Sequence, residues 1–144
     1  MKFPFMENSM NLQSPFLVQL PGESKASGDL HFWENFDLFP KGIQRCFWIS
    51  NVSADETRGN HAHWKESQVL VALTGKLLIE IHSAEGDKFS FSLSSPGEGL
   101  FIPPLHWTIV RFCPSSVLLG MSDRQFSEED YIRDKDYFET LKKR

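Results

Sequence analysis

The sequence predicts an all-β barrel or sandwich closed by a short C-terminal helix. Three observations carry that expectation. β-branched and aromatic residues fall in runs of about five to eight, separated by Gly- and Pro-containing turns at spacings of about eight to twelve. No helical period interrupts these runs before residue 127. Phe and Trp are abundant, thirteen and four, which suits a pleated core.

The elements follow in order. Residues 1–14 alternate Ser, Asn, Met and Gln without a period and read as a tail. Residues 15–126 carry the barrel. Phe16 to Leu20 is a first strand, stopped by Pro21-Gly22. Glu23 to Gly28 reads as a polar loop and Leu30 to Trp33 as a second strand, with a turn at Pro40-Lys41-Gly42. Arg45 to Asn51 is a strand, Ser53 to Gly59 a charged loop, and His61 to Trp64 and Gln68 to Leu73 are further strands. From Lys76 to His82 the chain alternates, with Leu77, Ile79 and Ile81 on one face. After a turn at Glu85-Gly86-Asp87, Phe89, Phe91 and Leu93 alternate with Lys88, Ser90 and Ser92. Pro96 to Gly99 turns again, Leu100 to Ile102 leads into Pro103-Pro104, and Trp107 to Phe112 and Ser116 to Met121 are the last strands of the barrel. Residues 127–144 read as a helix packed on the barrel: Ser127 as N-cap, Glu128, Glu129 and Asp130 in the first turn, Lys142, Lys143 and Arg144 at the far end.

Composition narrows the function. At 144 residues the chain is one domain with a real core. A net charge of -4 argues against broad nucleic-acid or anionic-membrane binding, while leaving room for a local basic site. No apolar run approaches the ~20 residues of a membrane span. Met1 to Pro15 holds one lysine and no sustained apolar region, so a cytoplasmic chain is expected. Cys46 and Cys113 are far apart, lack a motif, and read as reduced and buried.

The chemistry concentrates in Arg58-Gly59-Asn60-His61-Ala62-His63. In an extended strand His61 and His63 share a face and Ala62 takes the other. Downstream, Gln68 opens an apolar strand that turns at Thr74-Gly75. A barrel with His-x-His suggests the cupin, the double-stranded β-helix or jelly-roll barrel. Its first motif is His-x-His, a Glu, then a Gly; here these are His61, His63, Gln68 and Gly75, with Gln in place of Glu. Its second motif places a His where Thr108 stands, after Gly97 and Pro103. Two of four usual ligands are therefore missing, and neither Gln nor Thr is a good transition-metal ligand. A metal site remains open only as a three-His alternative, with His106 joining His61 and His63.

Four blocks then extend the match beyond His-x-His. They are Arg58-Gly59-Asn60-His61-Ala62-His63; Gln68-Val69-Leu70 with Gly75; Gly99-Leu100-Phe101-Ile102-Pro103-Pro104 with Trp107; and Asp130-Tyr131-Ile132-Arg133-Asp134. On these the chain resembles the dTDP-4-oxo-6-deoxyglucose 3,4-ketoisomerases, the WxcM-like cupins. The resemblance implies a homodimeric isomerase that uses no metal or other cofactor. It implies a nucleotide-sugar substrate, a dTDP-hexose, whose carbonyl moves from C4 to C3 in deoxysugar and polysaccharide biosynthesis. It gives the catalytic work to His61 and His63. A histidine near its ordinary pKa can take a proton beside a ketone and return it to the neighbouring carbon. Arg45, Arg58, Gln68, Trp107 and Thr108 are the expected substrate-binding residues, the arginines for an enediolate or a pyrophosphate. The chain departs from the family pattern at Ser27, at Phe47-Trp48, at Thr108 and at Phe126-Ser127.

Each residue also has a plainer reading. Arg45 also reads as a buried partner of Glu66 or Asp29, Arg58 as a partner of Asp55 or Glu56, and Trp107 as core. The acids that open the last helix read as capping groups with no catalytic task. A sugar-nucleotide-binding cupin that lost the reaction is the second functional class that fits.

Overall fold

A computed structural model describes residues 14–142. The expected tail lies outside the described residues except for Ser14, as do Lys143 and Arg144. Twelve strands are described: β1 (Phe16–Gln19), β2 (Gly22–Lys25), β3 (Gly28–His31), β4 (Arg45–Ile49), β5 (Thr57–His63) and β6 (Gln68–Thr74), then β7 (Leu77–Ser83), β8 (Lys88–Leu93), β9 (Glu98–Ile102), β10 (His106–Phe112), β11 (Val117–Ser122) and β12 (Tyr131–Ile132). One helix, α1 (Lys135–Glu139), follows. Two five-stranded sheets face each other, ordered β1-β9-β6-β11-β4 and β12-β5-β10-β7-β8, with β2 and β3 as a separate hairpin. All the pairs are antiparallel. This is the all-β architecture that the turn spacing predicts, in the double-sheet form that the His-x-His motif leads us to expect.

Alternation explains the layers. On β7 Leu77, Ile79 and Ile81 are buried and Leu78 and Glu80 exposed, as a half-buried strand requires. They meet Leu70, Ala72, Leu100 and Leu118 from the opposite sheet in the barrel interior. Both faces of β6 are covered: Leu70 and Ala72 face inward, while Val69 and Val71 pack with Phe39, Phe101 and Met121 outside. That double burial is why Val69 to Ala72 reads as an unbroken apolar run; Leu73, which extends it, is exposed. A third cluster, Ala62, Trp107, Ile132 and Phe138, seals the outer face of the second sheet.

Four expectations are corrected. Glu23 to Gly28 is not a loop but the β2–β3 hairpin, with Ser24 Oγ donating to Asp29 Oδ1. All eight residues of its strands are exposed, so no apolar alternation announces it. The strand expected at Leu30 to Trp33 accordingly begins at Gly28 and ends at His31. Cys46 and Cys113 are free, as expected, but neither is buried: Cys113 is half-buried, and Cys46 is exposed because Arg45, Phe47 and Ile49 take the inward positions of β4.

The last correction concerns the C-terminus. Residues 127–142 do not form one helix, and residues 143 and 144 of the expected helix lie outside the described residues. Ser127 makes no side-chain cap, and Glu128–Asp130 is a single 3-10 turn. The chain then extends as β12 against β5, and α1 starts only after Asp134, whose Oδ1 accepts Tyr137 N–H at 3.2 Å. The physical reason is tertiary. Asp130 is spent on another turn: its carbonyl accepts Trp64 N–H at 2.9 Å and its carboxylate accepts Lys65 N–H and Glu66 N–H at 2.8 and 3.0 Å. Those bonds outweigh a local helical preference worth tenths of a kcal/mol per residue, about 0.7 at most for ordinary residues.

Candidate active site

β5 builds the site. His61 and His63 face the barrel mouth, while Ala62 is 1% exposed in the outer cluster with Ile132 and Phe138. The expected shared face of the two histidines is therefore present. A β-bulge sets their aim. The register between β10 and β5 passes from Thr108↔His61 to Ile109↔Gly59 and leaves Asn60 unpaired. Gly59 and Asn60 take left-handed φ values of 89° and 58°. A Cβ on Gly59 would stand 2.6 Å from Thr108 O, so only glycine fits there.

The two imidazoles meet edge to face, with centroids 4.9 Å apart. Tyr131 of β12 covers both, its centroid 4.8 Å from His61 and 4.3 Å from His63. The Arg133 guanidinium lies 4.1 Å from the centre of the Tyr131 ring and bonds both oxygens of Glu128, at 2.6 and 3.0 Å. From the opposite sheet Arg45 Nη2 donates to Glu66 Oε2 at 2.6 Å, and Gln68 Nε2 donates to the same oxygen at 2.6 Å.

The nitrogens differ in their support. His61 Nδ1 is 2.9 Å from Gly59 O, and a carbonyl only accepts, so Nδ1 carries the proton and Nε2 the lone pair. His63 is 7% exposed. Its Nδ1 lies 3.3 Å from Asp130 Oδ2 and 3.7 Å from Glu66 Oε1. Neither contact is an aligned hydrogen bond, and both His63 ring nitrogens are buried without a hydrogen-bond partner among the described residues. Burial lowers both histidines from 6.5 to about 4; the second His61 cause is its neighbour His63, while Asp130 pulls His63 back up. Both rings are neutral at pH 7.

These groups open onto a cavity of about 570 Å³, within the size of small-molecule sites. Of the expected residues, His61, His63, Arg45, Arg58, Gln68 and Thr108 line it. Trp107 does not, and its expected substrate contact is corrected. Along β10, His106, Thr108 and Val110 face the cavity, so Trp107 must face away, where its ring centroid is 5.7 Å from that of Phe138. Arg45 is the partner of Glu66, not of Asp29, and still borders the cavity, with Nε buried and unpaired among the described residues. Arg58 is exposed and makes no ion pair with Asp55 or Glu56. Ser27 sits exposed on the hairpin, away from the cavity wall.

Tyr131, Arg133, Glu66 and Phe126 also line the cavity and are missing from the expected set. The signal for the first two was the Asp130-Tyr131-Ile132-Arg133 block itself. Among the described residues, the imidazole and carboxylate group compact enough for a cation is His63, Glu66 and Asp130, not the His61, His63 and His106 set. Its carboxylates already accept N–H donors, and the Arg45 cation sits on one of them. That chemistry suits a proton relay better than a divalent ion.

Comparison with known proteins gives the family and the fold. Residues 13–143 match the family model described as FdtA: WxcM-like, C-terminal. The chain is 33% identical over 112 residues to the TDP-4-oxo-6-deoxy-alpha-D-glucose-3,4-oxoisomerase of Aneurinibacillus thermoaerophilus, covering 77% of this chain and 80% of that one. A mutant of the 3,4-ketoisomerase QdtA from Thermoanaerobacterium thermosaccharolyticum, solved with TDP-4-keto-6-deoxyglucose, superposes with a TM-score of 0.81 at 31% identity, over 88% and 92% of the two chains. A 3,4-ketoisomerase from Helicobacter canadensis superposes with a TM-score of 0.81 at 30% identity, over 88% and 96%.

Proposed function

This chain belongs to the FdtA family of WxcM-like C-terminal domains, and on that premise we propose that it moves a carbonyl from C4 to C3 of a dTDP-4-oxo-6-deoxyhexose, with His61 and His63 handling the protons. It is a sugar 3,4-ketoisomerase acting on a nucleotide sugar. The observation that carries the mechanism is the pair of neutral imidazoles, 4.9 Å apart, at the wall of a cavity bordered by guanidinium groups.

The C3 proton is acidified by the adjacent C4 ketone. A histidine Nε2 takes it, the C3–H electron pair forms the C3–C4 double bond, and the C4 carbonyl oxygen becomes the enediolate oxygen. Arg45 and Arg58 border the cavity and supply positive charge to that oxygen or to the diphosphate. The O3 hydroxyl then gives up its proton and C4 and O4 each gain one, which leaves the ketone at C3. Protons are conserved, and no electron leaves the substrate. Tyr131 over the two rings and Thr108 beside them limit the orientation of the hexose.

A homodimer, a cytoplasmic location and a place in deoxysugar and polysaccharide assembly belong to the same proposal and rest on the family resemblance. Among the described residues no helix is long and apolar enough to cross a membrane.

The test is exchange in heavy water with dTDP-4-oxo-6-deoxyglucose. Deuterium entering a sugar carbon, abolished in His63→Ala, is the expected result. Saturable binding without exchange would replace this reading with a sugar-nucleotide-binding cupin.

A further inference from the structure

A third imidazole borders the cavity, and the carbon chemistry given to β5 does not use it. His106 opens β10, on the same face as Thr108 and Val110, and is 7% exposed. The chain delivers it stiffly. Pro103 and Pro104 come first, and Leu105 takes a left-handed φ of 62°, which costs a bulky residue free energy. Leu105 N–H donates to His63 O at 2.7 Å and pins that kink to the end of β5. His106 Nδ1 reaches back to Pro104 O at 2.8 Å. A carbonyl only accepts, so Nδ1 carries the proton and Nε2 the lone pair. Phe89 stands beside the ring, centroids 6.2 Å apart.

His106 Nε2 is unspent and within reach of solvent. It has no hydrogen-bond partner among the described residues, where the ring bonds through Nδ1 alone. The unpaired side-chain atoms walled off from solvent are Arg45 Nε and the two His63 nitrogens, and His106 Nε2 is not one of them. The space that this buried residue borders is the cavity. Burial holds its pKa below the ordinary imidazole value, against the pull of the Pro104 and Pro103 carbonyls and of Asp87, so the ring is neutral at pH 7. The neighbours are poorer bases. Thr108 offers a hydroxyl that donates to His106 O at 3.3 Å, and Glu66 Oε2 is held by Arg45 and Gln68.

We propose that His106 is a further catalytic residue, the group that carries a proton from O3 to O4 of the hexose while the β5 histidines serve the carbons. The proposal rests on the ketoisomerase reading. That reaction moves two protons, one from C3 to C4 and one from O3 to O4. Carbon protons leave and arrive perpendicular to the plane of the C3–C4 double bond, whereas O3 and O4 lie side by side within that plane. One base above the plane is badly placed for both tasks. His106 belongs to β10, the strand beside β5, and so serves from a different wall. Its Nε2 accepts the O3 proton, and the imidazolium returns it from the same nitrogen to the O4 oxyanion. The O3–H electron pair becomes the second bond of the C3 carbonyl. The C3–C4 double-bond pair takes the proton that the β5 imidazolium gives back at C4. Every histidine ends as it began, and no oxidant or reductant is needed.

The experiment separates the two proton paths in the full chain. His106→Asn keeps an N–H for Pro104 O and loses the basic nitrogen. In heavy water with dTDP-4-oxo-6-deoxyglucose, deuterium should still enter C3 of unconverted substrate within a few-fold of the unmodified rate, while conversion to the 3-ketone falls on the order of 10²-fold. Unchanged conversion in His106→Asn overturns the proposal, and so does a parallel fall of exchange and conversion. Nitrogen-15 NMR of the unmodified protein decides the matter if His106→Asn does not fold. His106 Nε2 should be unprotonated at neutral pH, and its signal should move when dTDP-4-oxo-6-deoxyglucose is added but not with dTDP alone. A protonated Nε2, or a signal that ignores the sugar, overturns the proposal. Absence of both exchange and conversion in the unmodified chain is a different result: it overturns the ketoisomerase reading, and the role of His106 with it.

Discussion

Arg45 Nη2 and Glu66 Oε2 are 2.6 Å apart, across a junction where the Glu66 side chain is 1% exposed and that of Arg45 21%. Removing one partner leaves a charge facing low dielectric. Arg45→Met should lower stability on the order of 3 kcal/mol, with Glu66 held by Gln68 alone. The double change Arg45→Met with Glu66→Leu should recover much of that loss while leaving turnover low, because the guanidinium is gone. Urea denaturation of the single and double variants checks both parts.

The histidines make stability depend on pH in a defined window. His61 and His63 sit near 4 when folded and near 6.5 when unfolded. Below 6.5 the unfolded chain binds protons that the folded chain does not, so stability falls as pH drops from about 6.5 towards 4. The slope flattens once both states are protonated. Thermal melts across that range should show the decline, and a His61→Gln, His63→Gln double variant should show a shallower one.

Turnover should share part of that window. The imidazole bases work unprotonated, so the acid limb of kcat/KM should lie well below the 6.5 of a free histidine. A limb at 6.5 or above would mean that the proton acceptor is exposed. Initial rates between pH 4 and 8, each preceded by a check that the protein stays folded, measure it.

Gly59→Ala tests the bulge. The new Cβ would press on Thr108 O from a backbone with φ of 89°. A cost of about 1–3 kcal/mol is expected for the strained backbone alone. Activity should fall further than stability, because His61 and the Thr108 wall move together. Melting temperature and kcat, compared in the same variant, separate the two effects.

Phe138→Ala tests the outer clamp. Phe138 is 1% exposed, against Trp107 and the cluster of Ala62 and Ile132. Truncation should cost about 3–5 kcal/mol. Loosening β12 should also raise KM or lower kcat through Tyr131, although residue 138 itself never meets the substrate.

What the sequence made legible was what alternates. Leu77, Ile79 and Ile81, and Phe89, Phe91 and Leu93, disclose their faces because one side is wet and the other dry. The shared face of His61 and His63 followed from the same period. The β2–β3 hairpin was hidden because neither of its faces is buried. Trp107 was misplaced because its neighbour Thr108 claimed the cavity face, and a strand gives each face only every second residue. Asp130 was read as a cap because its acidic neighbours look like a helix start. Its true partners, Lys65 and Glu66, are more than sixty positions away, and no local pattern reports a bond across that distance.

The pairing of β12 with β5 also divides the site between two distant stretches of the chain. The ring over the imidazoles, and the carboxylate behind one of them, come from residues 130 and 131, outside both five-stranded ladders except for the two-residue pairing itself. A chain clipped ahead of that stretch could retain most of its hydrogen-bonded ladders and pass for folded, yet would stay silent towards its sugar. Activity in this protein is thus a report that β12 has docked, which ladder content alone would miss.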